Sequence, residues 1–229
     1  FISGDAYFTP SFPDGAQKVS ALWALEHGNQ HIDGVVALDP VFLQYLLQLC
    51  GDVVAADGSV VNGSNATEVL LSDIYWKYPL GGDIQDAVFA SVASGAFDRL
   101  LGGLGDIGFT NLFKIIKRGG DEGRLLMWMA NEAEEDAVVQ MGFGGALNAD
   151  PTRPQTGVFV NNYSYSKLDW YLNLDAAKGE GVKNADGTAS YPMTVTLTNE
   201  MSADDAAALP AYVIAHNGTA DAPSQEMLR

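Results

Sequence analysis

The sequence predicts an α/β fold in which a mixed sheet is covered by helices, followed by a smaller β-rich unit whose strands are mostly antiparallel. Two observations support the first part. The apolar run 35–38 is too short for a helix, and the apolar segment 40–49 after it is bounded by helix-start and helix-stop residues. The second part rests on residues after 156, where apolar and polar side chains alternate as they do in strands.

The first core strand and the helix after it are the clearest elements. Asp39 is a favourable N-cap, Pro40 suits the first helical turn, and Gly51 ends the helix. Both elements are apolar on nearly all sides, which is typical of a sheet covered by helices. A second core strand is predicted over 124–130.

The other elements of the first 150 residues are predicted from apolar spacing and from turn signals. Helices are expected between Asp14 and Gly28, from Asn65 onward, over 83–101, from Thr110 to Gly120 and over 132–141, with a hairpin turn at 55–58 and a loop at 102–108.

The pattern changes around 150–154. This change divides the chain into a predicted α/β domain over 1–150 and a β-rich unit over 151–229. A length of 229 residues suits either one large domain or two small ones. In the β-rich unit, strands are expected over 157–160, 168–172 and 193–198, with a hairpin tip at 184–187.

The charge balance limits the partners of the chain. Its 12 basic residues stand against 29 acidic ones, which gives a net charge of −17. Such a protein repels duplex nucleic acid and anionic membrane surfaces, so neither is expected as a direct partner. No run of about 18 apolar residues is present, and no membrane span is expected in this sequence. One cysteine, Cys50, excludes an intramolecular disulfide.

The basic residues are concentrated in one region, which is the candidate anion-binding site. It contains Lys114, Lys117, Arg118 and Arg124. The first three share one face of the predicted helix, because they are spaced three and four positions apart. An alternative interpretation is that these cations complement the helix dipole and solvate the surface.

Other polar clusters indicate chemistry less directly. The acidic residues over 132–136 suggest a cation site, but acidic residues in a first helical turn also match the helix dipole. Four aromatic residues suggest either a carbohydrate surface or a packed core: Tyr163, Tyr165, Trp170 and Tyr171. No metal site, cofactor or catalytic residue is predicted.

Eight short segments follow one another in a distinctive order. The first three are Ser11-Phe-Pro-Asp14, Asp33-Gly-Val-Val-Ala-Leu-Asp-Pro40 and Leu47-Gln-Leu-Cys-Gly51. The other five lie at 65–66 together with 70–75, at 97–101, at 123–128, at 161–162 together with 167–171, and at 194–199. In this order they resemble domain-of-unknown-function 4012, a family of exported bacterial proteins common in actinobacteria. The resemblance implies an extracytoplasmic cell-envelope protein. It also implies a Gly-rich segment before Phe1 and a membrane anchor outside this sequence.

A more distant resemblance concerns the order of the first elements. A helix, a strand ending in Asp39-Pro40, a helix ending at Gly51 and a valine strand are similar to the LytR–CpsA–Psr phosphotransferases. Those enzymes attach glycopolymers to peptidoglycan from lipid pyrophosphate carriers, and they use several arginines and acidic residues. This similarity adds Arg99 to the candidate anion-binding site.

Two functions therefore compete, and the sequence leaves open whether the chain is an enzyme. The first is a binding or scaffolding module of a membrane-tethered envelope protein, with a purely structural spacer as its simplest form. The second is a glycopolymer phosphotransferase. Both imply cell-wall glycan or a lipid-linked glycopolymer as partner. A transferase needs arginines and a carboxylate that converge on a metal or phosphate, whereas a binding module needs an exposed aromatic or apolar patch.

Overall fold

The structure of the chain is a computed structural model, which describes residues 6–79, 82–148, 150–162, 166–210, 213–214 and 226–228. The chain divides into two compact units. The first comprises Phe1–Ile74 and Gly81–Thr156, and the second comprises Tyr75–Leu80 and Gly157–Arg229. The sequence-based division into domains 1–150 and 151–229 stays a prediction, because compactness does not test independent folding.

Helices dominate the first unit. They are α1 (Phe12–Glu26), α2 (Pro40–Cys50), α3 (Ala66–Glu68), which runs into a π-helical segment (Val69–Asp73), α5 (Asp83–Gly102), α6 (Leu104–Ile107), α7 (Phe109–Asp121) and α8 (Glu132–Gln140). Helix α4 (Ile74–Lys77) follows the π-helical segment, and all of its residues after Ile74 belong to the second unit. In the second unit, α9 spans Ala203–Ala208.

Two strands form the sheet of the first unit. Strand β1 (Gly34–Leu38) pairs antiparallel with the strand Leu125–Met129, which is β4 in chain order. Between them in the chain, β2 (Val53–Val54) and β3 (Val60–Val61) form the small hairpin expected around 55–58. Successive residues of a strand point to opposite faces. The face that carries Leu38, Met127 and Met129 packs against a core made by Phe42, Tyr45, Leu46, Leu125, Val138 and Phe143.

The α/β class is confirmed, but the sheet differs in detail from the mixed sheet that the sequence suggests. All strand pairs in the described part of the chain are antiparallel, and each sheet there has two strands. Apolar runs such as Val35–Leu38 indicate that both faces of a strand are covered, and they carry no information about its direction.

Local sequence signals account for the two best-defined helix starts. The Asp39 carboxylate accepts a hydrogen bond from Phe42 N at 2.7 Å, as expected of an N-cap. The Asn131 side chain caps α8 in the same way, since it accepts bonds from Ala133 N and Glu134 N. Gly51 follows α2 with φ +82°, a conformation that favours glycine.

Three local predictions are wrong. Of the strand expected over 157–160, only the last residue lies in a strand, which spans Val160–Asn162. The expected loop at 102–108 contains α6, where Ile107 N donates to Gly103 O at 3.0 Å, because flanking glycines do not prevent one helical turn. The expected strand over 168–172 is instead a 3₁₀ turn at Asp169–Tyr171. Residues three apart eclipse in a 3₁₀ turn, so Leu168 and Tyr171 both reach the core of the second unit.

The second unit is β-rich, as expected. Strand β5 (Val160–Asn162) pairs with β10 (Glu226–Leu228), β6 (Leu172–Lys178) with β9 (Met193–Asn199), and β7 (Val182–Lys183) with β8 (Ala189–Ser190). The turn at Asn184–Gly187 lies between β7 and β8, at the expected hairpin tip. Among the residues with described positions, no helix has the length and apolar character needed to cross a membrane.

Candidate functional site

Helix α7 and the turn after it position four of the five predicted site residues. The C-terminal end of the helix lies close to the core, because Gly119 faces the Phe42 ring and Gly120 faces the Phe143 ring. A Cβ atom placed on either glycine would lie within 2.5 Å of the facing ring. This close approach places Arg118 beside α2 and leaves Lys114 and Lys117 on the exposed side of α7.

The two arginines of this region are bonded to carboxylates of the same chain. Arg118 Nε donates to Glu122 Oε1 at 2.7 Å, and Arg124 Nε donates to Glu122 Oε2 at 2.9 Å. Arg124 Nη1 also donates to Asp39 Oδ2 at 2.6 Å. We call these four residues, with Tyr45, the α2–α7 polar network. Because it contains two cations and two anions, its formal charges balance.

Tyr45 is the buried member of the α2–α7 polar network. Its hydroxyl donates to Glu122 Oε2 at 3.0 Å, and the Arg118 guanidinium lies over its ring at 3.8 Å from the centroid. Burial, together with the bond to Glu122, raises the pKa of Tyr45. Hydrogen bonds from Arg118, and then from Tyr45 and Arg124, hold the pKa of Glu122 below its ordinary value.

The other three predicted site residues lie outside this network. Lys117 Nζ pairs with Asp121 at 2.7 Å, in an exposed ion pair four positions apart. Lys114 and Arg99 form no ion pair with any residue whose position is described. Arg99 lies on α5 near Gly51, where a Cβ atom placed on the glycine would lie 4.0 Å from Arg99 Nη1.

The arrangement links three elements rather than forming an open anion site. The α2–α7 polar network joins the start of α2, the end of α7 and the turn before β4. An anion at Arg118 or Arg124 would have to share the guanidinium group with Glu122 or Asp39. Anion binding by the five predicted residues stays a prediction, and the two with no carboxylate partner in the described part of the chain are Lys114 and Arg99.

Some of the acidic and aromatic residues that the sequence suggested as binding sites have a structural role. The Glu135 carboxylate accepts a bond from Met129 N at 2.8 Å, which ties α8 to β4. No cluster of three potential metal-ligating side chains occurs in the segments that the structure describes. Of the aromatic group, Tyr171 packs against the core of the second unit and Trp170 is partly exposed, whereas Tyr163 and Tyr165 lie outside the described residues.

Sequence reasoning missed Asp39, Tyr45 and Glu122 as partners of the arginines. Part of this network has a sequence signal, because Arg118 and Glu122 are spaced four apart, as ion pairs on one helix face are. The Lys117–Asp121 pair beside the network has the same spacing. The bond between Arg124 and Asp39 joins residues 85 positions apart, so no local pattern reveals it.

A known family model matches the first part of the chain. Residues 1–75 match the model of a family described as "Protein of unknown function (DUF4012)". The match supports the resemblance over α1, β1, α2 and the β2–β3 hairpin, and it ends before Arg99 and the basic residues of α7. Comparison with curated proteins and with solved structures gave no significant match.

The lowered pKa of Glu122 makes stability depend on acid pH. A glutamate in an unfolded chain has a pKa of about 4.3. The stabilisation that Glu122 contributes to the fold is therefore fully present above that pH, and it is lost as the pH falls through the lower pKa of the folded state. We expect Glu122→Gln to flatten the rise of the unfolding free energy with pH in this acidic window. Denaturant titrations at a series of pH values measure it. Glu180→Gln, which removes the same charge from an exposed position, should leave that rise unchanged.

Proposed function

We propose that this chain is a binding or scaffolding module of an extracytoplasmic, membrane-tethered cell-envelope protein, and that its ligand is a lipid-linked glycopolymer. The envelope location is what the family resemblance implies, and the match over residues 1–75 supports that resemblance. The observation that carries the binding role is the exposed aromatic half of α7.

Helix α7 extends its apolar stripe beyond the core that covers its other end. Ile115 and Ile116 pack against the core, whereas Phe109 is 81% exposed and Phe113 is 55% exposed. The two rings are stacked, with centroids 6.4 Å apart. Exposed aromatic pairs of this kind favour contact with an apolar ligand, because burying each ring removes a large apolar surface from water. We call Phe109, Phe113 and Lys114 the α7 aromatic surface.

Lys114 gives this surface a positive charge. It follows Phe113 directly, its side chain is exposed, and it forms no ion pair with a residue of described position. A polyprenyl pyrophosphate combines an apolar chain with an anionic headgroup, so the two rings and the ammonium group match its two parts. The overall charge of −17 repels any anionic ligand, including this headgroup, so the apolar contact is necessary for binding.

The alternative function, a LytR–CpsA–Psr-like glycopolymer phosphotransferase, needs arginines that are free to hold a pyrophosphate. Arg118 and Arg124 are already bonded to Glu122 and Asp39. These bonds occupy part of each guanidinium group and place a carboxylate beside it, where a pyrophosphate would be repelled. The bonding of the arginines therefore favours binding over transfer.

Vesicle flotation tests the proposal. The full chain is mixed with phosphatidylcholine vesicles that contain undecaprenyl pyrophosphate, and bound protein is measured. We expect Phe109→Ser/Phe113→Ser to lower the affinity at least about tenfold, since losing the burial of even one ring removes more than the free energy of a tenfold change. Leu25→Ser, at an equally exposed apolar position of α1, should bind like the native chain.

Three outcomes would contradict the proposal: no binding by the native chain, equal binding by the double variant, or equal binding to vesicles without the pyrophosphate lipid. A parallel titration with inorganic pyrophosphate separates recognition of the headgroup from recognition of the lipid, and weak binding is expected there. Transfer of glycan from a lipid-linked donor to peptidoglycan by the native chain would instead establish the phosphotransferase.

A further inference from the structure

Helix α7 carries a row of exposed side chains that continues past its two aromatic rings. Residues four positions apart lie above one another on a helix surface. Along α7, such a row is made by Phe109, Phe113, Lys117 and Asp121, and all four residues are exposed. Two apolar rings are therefore followed by a cation and then by a carboxylate.

An exposed ion pair lies at the end of this row. Lys117 Nζ lies 2.7 Å from each carboxylate oxygen of Asp121. The Lys117 side chain is 59% exposed and the Asp121 side chain is 62% exposed, so water screens the attraction between them. Asp121 is also the last residue of α7, where a negative charge opposes the helix dipole. The pair therefore contributes little to the stability of the helix.

Lys117 and Lys114 are neighbours on the exposed side of α7. They are three positions apart, and both lie next to Phe113 on the helix surface. An ammonium group has three donors, so Lys117 can bond a phosphate oxygen as well as Asp121. Residues 109–118 contain three basic residues and no acidic residue, which makes this segment positive in a chain of net charge −17. Two ammonium groups beside the rings match two linked phosphates beside an apolar chain.

We propose that Lys117 is a second contact for the headgroup, so that the site prefers a lipid with two linked phosphates to a lipid with one, and that Asp121 competes with the ligand for Lys117. This inference rests on the proposed function, because it assigns further residues to the same surface. A diphosphate headgroup carries more negative charge than a monophosphate and reaches both lysines. At Lys117 it meets the Asp121 carboxylate, which repels it and lowers the affinity.

Vesicle flotation with two lipids tests the headgroup preference. The full chain is mixed with phosphatidylcholine vesicles that contain either undecaprenyl pyrophosphate or undecaprenyl phosphate. We expect the native chain to bind the pyrophosphate lipid about fivefold more tightly, the effect of one more lysine at an anionic surface. Lys117→Gln should bind the two lipids equally. Lys18→Gln removes the same charge from an exposed position of α1 and should keep the preference.

Asp121→Asn tests the competition in the same assay. The change removes the carboxylate beside Lys117, so we expect the affinity for the pyrophosphate lipid to rise about fivefold, the effect of removing one close like-charge repulsion in water. Asp136→Asn removes the same charge from an exposed position of α8 and should bind like the native chain. Circular dichroism establishes that the variants are folded.

The outcomes separate this inference from the proposed function. Equal binding of the two lipids by the native chain, a preference that Lys117→Gln leaves intact, or an Asp121→Asn variant that binds no more tightly would each overturn the inference. In those cases the proposed function still holds, provided that the native chain binds the pyrophosphate lipid through Phe109 and Phe113. A native chain that binds neither lipid would contradict the proposed function and this inference with it.

Discussion

Gly119→Ala is expected to lower the free energy of unfolding by about 1–3 kcal/mol, the usual effect of overpacking a core. Helix propensity alone predicts that the free energy of unfolding rises, because alanine in a helix is favoured over glycine by about 1 kcal/mol. Packing outweighs propensity here. The new Cβ atom would lie 2.5 Å from the ring of Phe42 and 3.1 Å from Leu125 Cβ, and both side chains are buried.

Gly102→Ala is the matched control for this change. Gly102 is the last residue of α5, and a Cβ atom there would meet nothing within 4 Å. We expect its unfolding free energy to stay unchanged or to rise by less than about 1 kcal/mol. Urea titrations of the two variants measure both values. A stabilised Gly119→Ala protein would show that α7 does not pack against α2 at this distance.

Elements whose ends are set by neighbouring residues could be predicted from the sequence. The N-cap at Asp39, the stop at Gly51 and the N-cap at Asn131 each depend on a side chain or a glycine within a few positions of the helix end. The hairpin turns at 55–58 and 184–187 depend on local chemistry in the same way. In both, a serine or threonine bonds to the aspartate two residues earlier.

Features that depend on distant contacts could not be predicted. The direction of β4 relative to β1 is decided by the path of the chain between them, which apolar runs do not encode. The segment 168–172 reads as a strand by alternation. It forms a turn because that conformation brings Leu168 and Tyr171 together onto the core of Leu209 and Val213.

The candidate site shows the same distinction. The sequence identifies where cations are concentrated, but it does not identify which of them are already paired. Spacing could have shown that Asp121 and Glu122 lie four residues after Lys117 and Arg118. The approach of Asp39 and Tyr45 to this end of α7 results from the packing of α2 against α7 through Gly119, which only the fold reveals.

We propose that the cations of α7 have two roles. Arg118 belongs to the α2–α7 polar network and stabilises the fold, whereas Lys114 belongs to the α7 aromatic surface and is the proposed contact with the ligand. The two roles predict different results when one positive charge is removed from Arg118 or from Lys114. Arg118→Gln should lower the thermal midpoint, because it removes a bond to Glu122 and the stacking on Tyr45. Lys114→Gln should leave the thermal midpoint unchanged.

The most direct test is the affinity of these two variants for vesicles that contain undecaprenyl pyrophosphate, measured at a temperature where both are folded. We expect Lys114→Gln to bind about fivefold more weakly, since a lysine near an anionic surface contributes about 1 kcal/mol. Arg118→Gln should bind like the native chain. If Arg118→Gln lost binding while folded and Lys114→Gln did not, the arginine would be the ligand contact and the proposed division of roles would be wrong.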